Sequence, residues 1–247
     1  MTAILNVRDL VKGFDGLLAS DHLDLSVEAG ELHAVIGPNG AGKTTLINQL
    51  TGELRADSGR IDFAGRDITS SPVAERARLG LARSYQISQV FRDLSVRENM
   101  LIAAQGRMKH CFRFWRPAAE AGDLADAASR ALDLVGLSGK DAVPVAALAH
   151  GEVRQLELAM AMVTRPKLLV LDEPMAGMSA VECERIVALL RSIKGSYSIL
   201  LVEHDMDTVF ALADRITVLV GGRTIAAGSV ESIRRDRAVR EAYLGDE

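Results

Sequence analysis

Gly37-Pro38-Asn39-Gly40-Ala41-Gly42-Lys43-Thr44 matches the pattern G-x-x-x-x-G-K-[ST] at every position. The short apolar run Glu31–Ile36 before it reads as a strand, and Thr44–Leu50 after it reads as a helix. Strand, glycine-rich turn and helix are the setting in which this pattern binds phosphate. The glycines let the backbone curl until its N–H groups point inward at phosphate oxygens. The helix that follows adds the positive end of its dipole. Lys43 would reach the β- and γ-phosphates and Thr44 would hold Mg²⁺. A glycine-rich turn with a chance lysine is the competing reading, and the flanking elements disfavour it. Gly37, Asn39, Gly40, Ala41, Gly42, Lys43, Thr44 and Thr45 are therefore the candidate nucleotide-binding residues.

Such a loop needs a carboxylate for the metal, and the chain supplies one further on. Leu168-Leu169-Val170-Leu171 is short and apolar at every position, as a buried parallel strand should be. It delivers Asp172 and Glu173 at its carboxyl end, where ligands bind in open α/β sheets. Asp172 would join the Mg²⁺ shell and Glu173 would polarise an attacking water. Taken alone, the pair could equally be a solvated turn before Pro174. Beside a complete phosphate loop the metal reading gains weight.

The rest of the chain reads around these two anchors. Leu23, Leu25 and Val27 alternate with Asp24, Ser26 and Glu28, and the first thirty residues read as strands. Ile61 and Phe63 alternate before Ala64-Gly65, which predicts a hairpin. From about 70 to 165 the pattern becomes helical. Ser95 and Glu98 form a capping box opening a helix through roughly Met108. Leu124, Ala128, Ala131 and Val135 mark a second helix, and Leu156, Met160 and Val163 a third. Strand–helix alternation then returns, with a helix at Ile186, Leu190 and Ile193 and strands at Ile199–Val202 and Ile216–Val220. Val220-Gly221-Gly222-Arg223 predicts a tight hairpin. The tail from Ser229 reads as helical and polar, with Arg234, Arg235, Arg237 and Arg240 on a solvated face. The plan is an α/β core interrupted by a helical insertion.

Composition narrows the classes. The chain has 247 residues, 48% hydrophobic and 25% charged, which allows a core without staples. Its net charge of −4 argues against a general nucleic-acid binder. Cys111 and Cys183 cannot form a disulfide framework, and with His22, His33, His110 and His150 they show no zinc spacing. No apolar run reaches the length of a membrane span, and the start lacks the form of a signal peptide. A cytoplasmic placement is expected.

Taken together, these residues resemble an ABC-transporter ATP-binding subunit along essentially the whole chain. The resemblance implies a P-loop NTPase core of ABC-ATPase type. It also implies an N-terminal antiparallel β subdomain and an inserted helical subdomain, with 1–71 and 166–247 as the core and about 72–165 as the insertion. It implies that Phe14 lies under the adenine, that Gln86 joins the metal site to the helical subdomain, and that His204 contacts the γ-phosphate. Leu148-Ala149-His150-Gly151-Glu152 stands at the family's signature position, so Ala149, Gly151 and Glu152 are carried over as nucleotide contacts. ATP and Mg²⁺ are the implied ligands. Each ATP would lie between the phosphate loop of one subunit and the signature of another.

The stretches Met162-Val163-Thr164-Arg165-Pro166, Asp172-Glu173-Pro174-Met175-Ala176-Gly177-Met178, Glu203-His204-Asp205-Met206 and Glu241-Ala242-Tyr243-Leu244-Gly245 are similar to the branched-chain amino acid importer group, whose urea and amide relatives share them. Implied partners are integral-membrane permease subunits, a second ATP-binding subunit and, indirectly, a periplasmic solute-binding protein. The implied placement is peripheral, on the cytoplasmic face of the membrane. Two departures stand out. Ala149 and His150 replace the usual serine and glycine of the signature, and Met178-Ser179-Ala180 lacks the usual aspartate. Ala149 has no hydroxyl to donate across the interface, which favours pairing with a sister chain. The basic-aromatic run Arg107–Arg116 reads either as an insertion loop packed on the helical subdomain or as a docking segment for the permease or lipid headgroups. A lipopolysaccharide-type exporter ATPase would share the catalytic motifs. A soluble ABC ATPase would be expected to carry long inserts, zinc cysteines or tandem cassettes, and a GTPase an Asn-Lys-x-Asp reader; none of these is present.

Overall fold

A computed structural model of the chain describes residues 3–84, 90–105 and 118–244. These divide into two compact units. The first comprises Met1–Arg83, Lys167–Glu173 and Leu190–Glu247, and the second Ser84–Pro166 and Pro174–Leu189.

The first unit is built on two sheets. Strands β1 (Ala3–Phe14), β2 (Leu17–Glu28), β4 (Ser58–Phe63) and β5 (Arg66–Asp67) form an antiparallel sheet in the order β2-β1-β4-β5. The second sheet has six strands in the order β10-β9-β3-β8-β7-β6. Its members are β3 (Leu32–Ile36), β6 (Leu81–Ser84), β7 (Leu168–Asp172), β8 (Ser198–Val202), β9 (Arg215–Val220) and β10 (Arg223–Ser229). β3 runs parallel to β8 and β9, and β7 parallel to β8. β10 folds back antiparallel on β9 through the predicted Gly221-Gly222 turn.

The sheet is covered on both faces, which is why its central strands are apolar at successive positions rather than alternating. Val35 of β3 packs into the cluster shared with the antiparallel sheet and with Leu46, Ile47 and Leu50 of α1 (Lys43–Thr51). Its neighbours Ala34 and Ile36 point the other way, into a cluster with Val209, Ile233 and Val239. These three come from α7 (Met206–Leu212), α8 (Val230–Arg235) and α9 (Arg237–Leu244). Leu46, Ile47 and Leu50 are fully buried, each worth about 1.5–3 kcal/mol. The far end of α1 is held by Arg76 of α2 (Val73–Leu79), whose Nη1 donates to the carbonyls of Gln49 and Leu50 at 2.6 and 2.7 Å.

The second unit holds α3 (Val96–Gln105), α4 (Ala118–Leu134), α5 (His150–Val163) and the first part of α6 (Ala180–Ile193). The capping box that opens α3 is present. Glu98 Oε2 accepts from the Ser95 N–H at 2.7 Å, and Ser95 Oγ accepts from the Glu98 N–H at 3.2 Å. Ala128, Ala131 and Val135 are buried, as are Leu156 and Val163.

One local reading needs correction: the stretch from 70 to 165 is not helical throughout, since Leu81–Ser84 is a strand at the edge of the six-stranded sheet. The four tail arginines are exposed on helices, as expected, with the helical tail divided at Asp236 and Arg234 over the Phe210 ring at 4.3 Å. Gln86, the run Arg107–Arg116 and Gly245 lie outside the described residues.

Candidate functional site

The phosphate loop connects β3 to α1. Gly42 is the residue before the helix, with φ 98° and ψ 5°. A side chain there would be strained by its backbone angle, and its Cβ would stand 2.2 Å from the Ala19 carbonyl oxygen. Because Gly42 also offers no capping side chain, the first N–H groups of α1 are left for an anion to satisfy. The Ala41 carbonyl accepts from the Gly222 N–H at 3.1 Å, so the β9–β10 turn braces the loop from behind. Asn39, Gly40 and Thr44 are exposed, and Thr45 is half-buried.

Lys43 is buried to 8% exposure, and its Nζ donates to the Gly37 and Pro38 carbonyls at 2.6 and 3.1 Å. Burial pushes its pKa below that of an ordinary lysine, while Glu173 and Asp172 favour the charged form. Asp172 ends β7 and is also buried. Burial raises its pKa, and the Arg83 guanidinium opposes the shift. Arg83 Nη2 donates to Asp172 Oδ2 at 2.9 Å.

Glu173 follows with φ 46°. A left-handed backbone is uncommon for a long side chain and costs on the order of 1 kcal/mol or more. The strain is held by the ladder, since the Glu173 N–H donates to the Val202 carbonyl at 2.9 Å. The turn directs Glu173 Oε1 to within 4.0 Å of His204 Nδ1, and that imidazole is largely exposed. Lys43, Asp172, Glu173 and His204 are thus brought together from three parallel strand ends. Phe14 ends β1 with its ring about half exposed and Lys12 Nζ 5.4 Å from the ring centroid.

The oxygen-only donor set suits Mg²⁺, a hard cation that takes one or two carboxylates together with phosphate and water. Thr44 Oγ and the Asp172 carboxylate are the described candidates. Among the described residues no cluster of three His, Cys, Asp or Glu could hold a metal unaided.

The signature stretch belongs to the second unit. Ala149 precedes α5 in extended conformation, and its N–H donates to Glu152 Oε2 at 3.1 Å. Ala149 has no oxygen to complete the cap. Lys140 pairs with Glu152 and holds its carboxyl below the usual range. The Gly151 N–H donates at 3.1 Å to Glu182 Oε1, and a Cβ on Gly151 would stand 2.3 Å from that oxygen. Glu182 Oε2 meanwhile accepts from the Ser179 N–H and hydroxyl at 2.9 and 2.7 Å. One carboxylate thereby serves the starts of both α5 and α6. Neither Arg83 nor Glu182 had been singled out from the sequence.

Comparison with known proteins agrees with this geometry. A family model described as ABC transporter matches residues 20–176, and one described as branched-chain amino acid ATP-binding cassette transporter matches residues 223–247. The chain is 40% identical to the probable branched-chain amino acid transport ATP-binding protein LivG of Archaeoglobus fulgidus, over 98% of this chain and 95% of the relative. It is 36% identical to the high-affinity branched-chain amino acid transport ATP-binding protein LivG of Escherichia coli K12, over 98% of each. A crystal structure of the ADP conformation of an ATP-binding cassette of an ABC transporter superposes with a TM-score of 0.87, at 32% identity and full coverage of both chains.

Proposed function

Because the chain belongs to the ABC transporter family, whose cassettes bind nucleotide and hydrolyse ATP, we propose that it is the ATP-hydrolysing subunit of an importer of branched-chain amino acids or closely related solutes. The observation that carries the hydrolytic part is the posture of Glu173. A strained backbone is kept at the end of β7, with the carboxylate beside His204 and within electrostatic reach of Lys43.

ATP would place its phosphates on the N–H groups of the loop and the first turn of α1, from Gly40 to Thr45. Lys43 would exchange the Gly37 and Pro38 carbonyls for the β- and γ-phosphate oxygens. Thr44 Oγ, Asp172 and, by the family resemblance, Gln86 would hold Mg²⁺, which supplies neutralisation of the charge that develops on the transferring phosphoryl. Glu173 would accept a proton from the attacking water and orient it in line with the leaving oxygen. His204 would donate to the γ-phosphate, and Phe14 would stack on the adenine.

The site is completed in this reading by Ala149, Gly151 and Glu152 of a second ATP-binding subunit, either a sister chain or another copy. Integral-membrane permease subunits receive the motion, a periplasmic binding protein supplies the solute, and the chain sits peripherally on the cytoplasmic face. The test is uptake of labelled leucine by cells lacking this chain. Wild type should restore uptake, and Glu173→Gln should not. Unchanged leucine uptake in the deleted strain, with urea uptake lost, would reassign the solute to the amide class. Restoration by Glu173→Gln would remove Glu173 from the hydrolytic role.

A further inference from the structure

Arg83 is the one cation that joins the end of β7 directly to α1 among the described residues. It stands on the edge strand β6, and its side chain is 8% exposed. Its planar fork is divided. Nη2 donates to Asp172 Oδ2 at 2.9 Å, while Nη1 donates to Asn48 Oδ1 at 2.7 Å and Glu53 Oε2 at 2.9 Å. Asn48 lies four residues after Thr44, so the two share a face of α1. The guanidinium therefore sits one helical turn below Thr44, with one end on the strand that carries Asp172 and the other on the helix that carries Thr44.

A buried carboxylate left to itself has freedom to turn, and here it has acidic neighbours. Glu173 is adjacent, and Glu53 receives the other arm of the same guanidinium. With Nη1 fixed on Asn48 and Glu53, the rigid guanidinium presents Nη2 to one carboxylate oxygen, a directionality that a point-like ammonium lacks. With Oδ2 held by the guanidinium, Oδ1 is the carboxylate oxygen that Arg83 leaves for another ligand.

We propose that Arg83 is a positioning residue for the Mg²⁺ shell, orienting the Asp172 carboxylate and tying it to the Thr44-bearing helix. This rests on the reading that Asp172 serves the metal. The proposal predicts that Arg83 affects the metal-dependent part of ATP binding and spares the rest.

The experiment is calorimetric titration of ATP into the full chain, in excess Mg²⁺ and again in EDTA, for wild type, Arg83→Ala, Arg83→Gln, Arg83→Lys and Asp172→Asn. The readout is the ratio of the two affinities. Arg83→Ala and Arg83→Gln should cut that ratio about tenfold, the size of one lost charge-assisted hydrogen bond, with affinity in EDTA unchanged within about twofold. Arg83→Lys should recover part of the ratio, because it restores the charge without the fork. Glutamine keeps much of the packing and serves if the alanine variant does not fold. A wild-type ratio in both variants would overturn the proposal. So would a raised ratio, which would make Arg83 a competitor of the metal, or an equal loss in Mg²⁺ and EDTA, which would make its role structural. An unchanged ratio in Asp172→Asn would instead remove Asp172 from the metal, and the premise with it.

Discussion

Lys43 and Glu173 can be tested separately because the structure gives them different tasks. The Lys43 ammonium is buried against two carbonyls of its own loop, and incoming phosphate oxygens would be a better counter-charge. Lys43→Ala is expected to weaken ATP binding about tenfold to a hundredfold, read by calorimetry; wild-type affinity would take Lys43 off the phosphates. Glu173→Gln keeps shape and removes the proton acceptor. It should bind ATP normally and hydrolyse it roughly 10²- to 10⁴-fold more slowly in a steady-state phosphate-release assay. At this scale the sequence was most legible where a site is local. The phosphate loop is eight consecutive residues, and Asp172-Glu173 a pair at a strand end. Arg83 was not legible because its partner Asp172 is 89 residues away, whereas Glu182 stands at capping-box spacing from Ser179 and only its reach to Gly151, 31 residues away, was hidden. No spacing rule reaches that far without the fold.

Helix α5 begins with half a cap. Glu152 reaches back to the Ala149 N–H, and the Ala149 carbonyl accepts from the Val153 N–H, but Ala149 has no side-chain acceptor for the first turn. Ala149→Ser would restore the missing acceptor and should stabilise the protein by about 1 kcal/mol, visible as a higher midpoint in thermal unfolding. An unchanged or lower midpoint would show that the α5 start is already satisfied in another way. Glu182 predicts a pH effect at the same place. Its carboxyl is held below the ordinary 4.5, chiefly by Ser179, with Gly151 assisting. A carboxylate whose folded pKa is depressed contributes stability above its unfolded pKa and loses it as the pH falls through the folded value. Wild type should therefore melt higher than Glu182→Gln near neutrality, and the gap should close as the pH falls below the ordinary 4.5 and through the depressed folded value. A gap independent of pH would mean that the charge is not what holds the two helix starts. Element types were readable from apolar spacing for α1, α5, α6, β7 and β8. β6 was missed because Leu81-Ala82-Arg83-Ser84 is short and only Leu81 is buried. Its strand character comes from the neighbouring β7, through a pairing the local pattern does not encode.

For the whole molecule the open quantity is how many chains make a working site. Light scattering of Glu173→Gln, with and without Mg·ATP, measures it. A nucleotide-dependent shift to twice the 26.5 kDa monomer mass would show that the Ala149 signature closes a pair of identical chains. A nucleotide-bound monomer would require a sister subunit. The architecture itself was legible, because buried runs separated by helical spacing leave few α/β arrangements. Strand order was not, since it depends on which distant runs meet. That order has a consequence during synthesis. β3, which launches the phosphate loop, is buried along its whole length. Its two neighbours are among the later strands to be made, as Leu32 pairs with Ile199 and His33 with Arg215. At roughly 5–20 residues per second, a ribosome would release β3 about ten to thirty seconds before either flank exists. For that interval the nascent chain carries a bare apolar strand, so chaperone access to its first fifty residues should govern how much of this ATPase reaches the folded state.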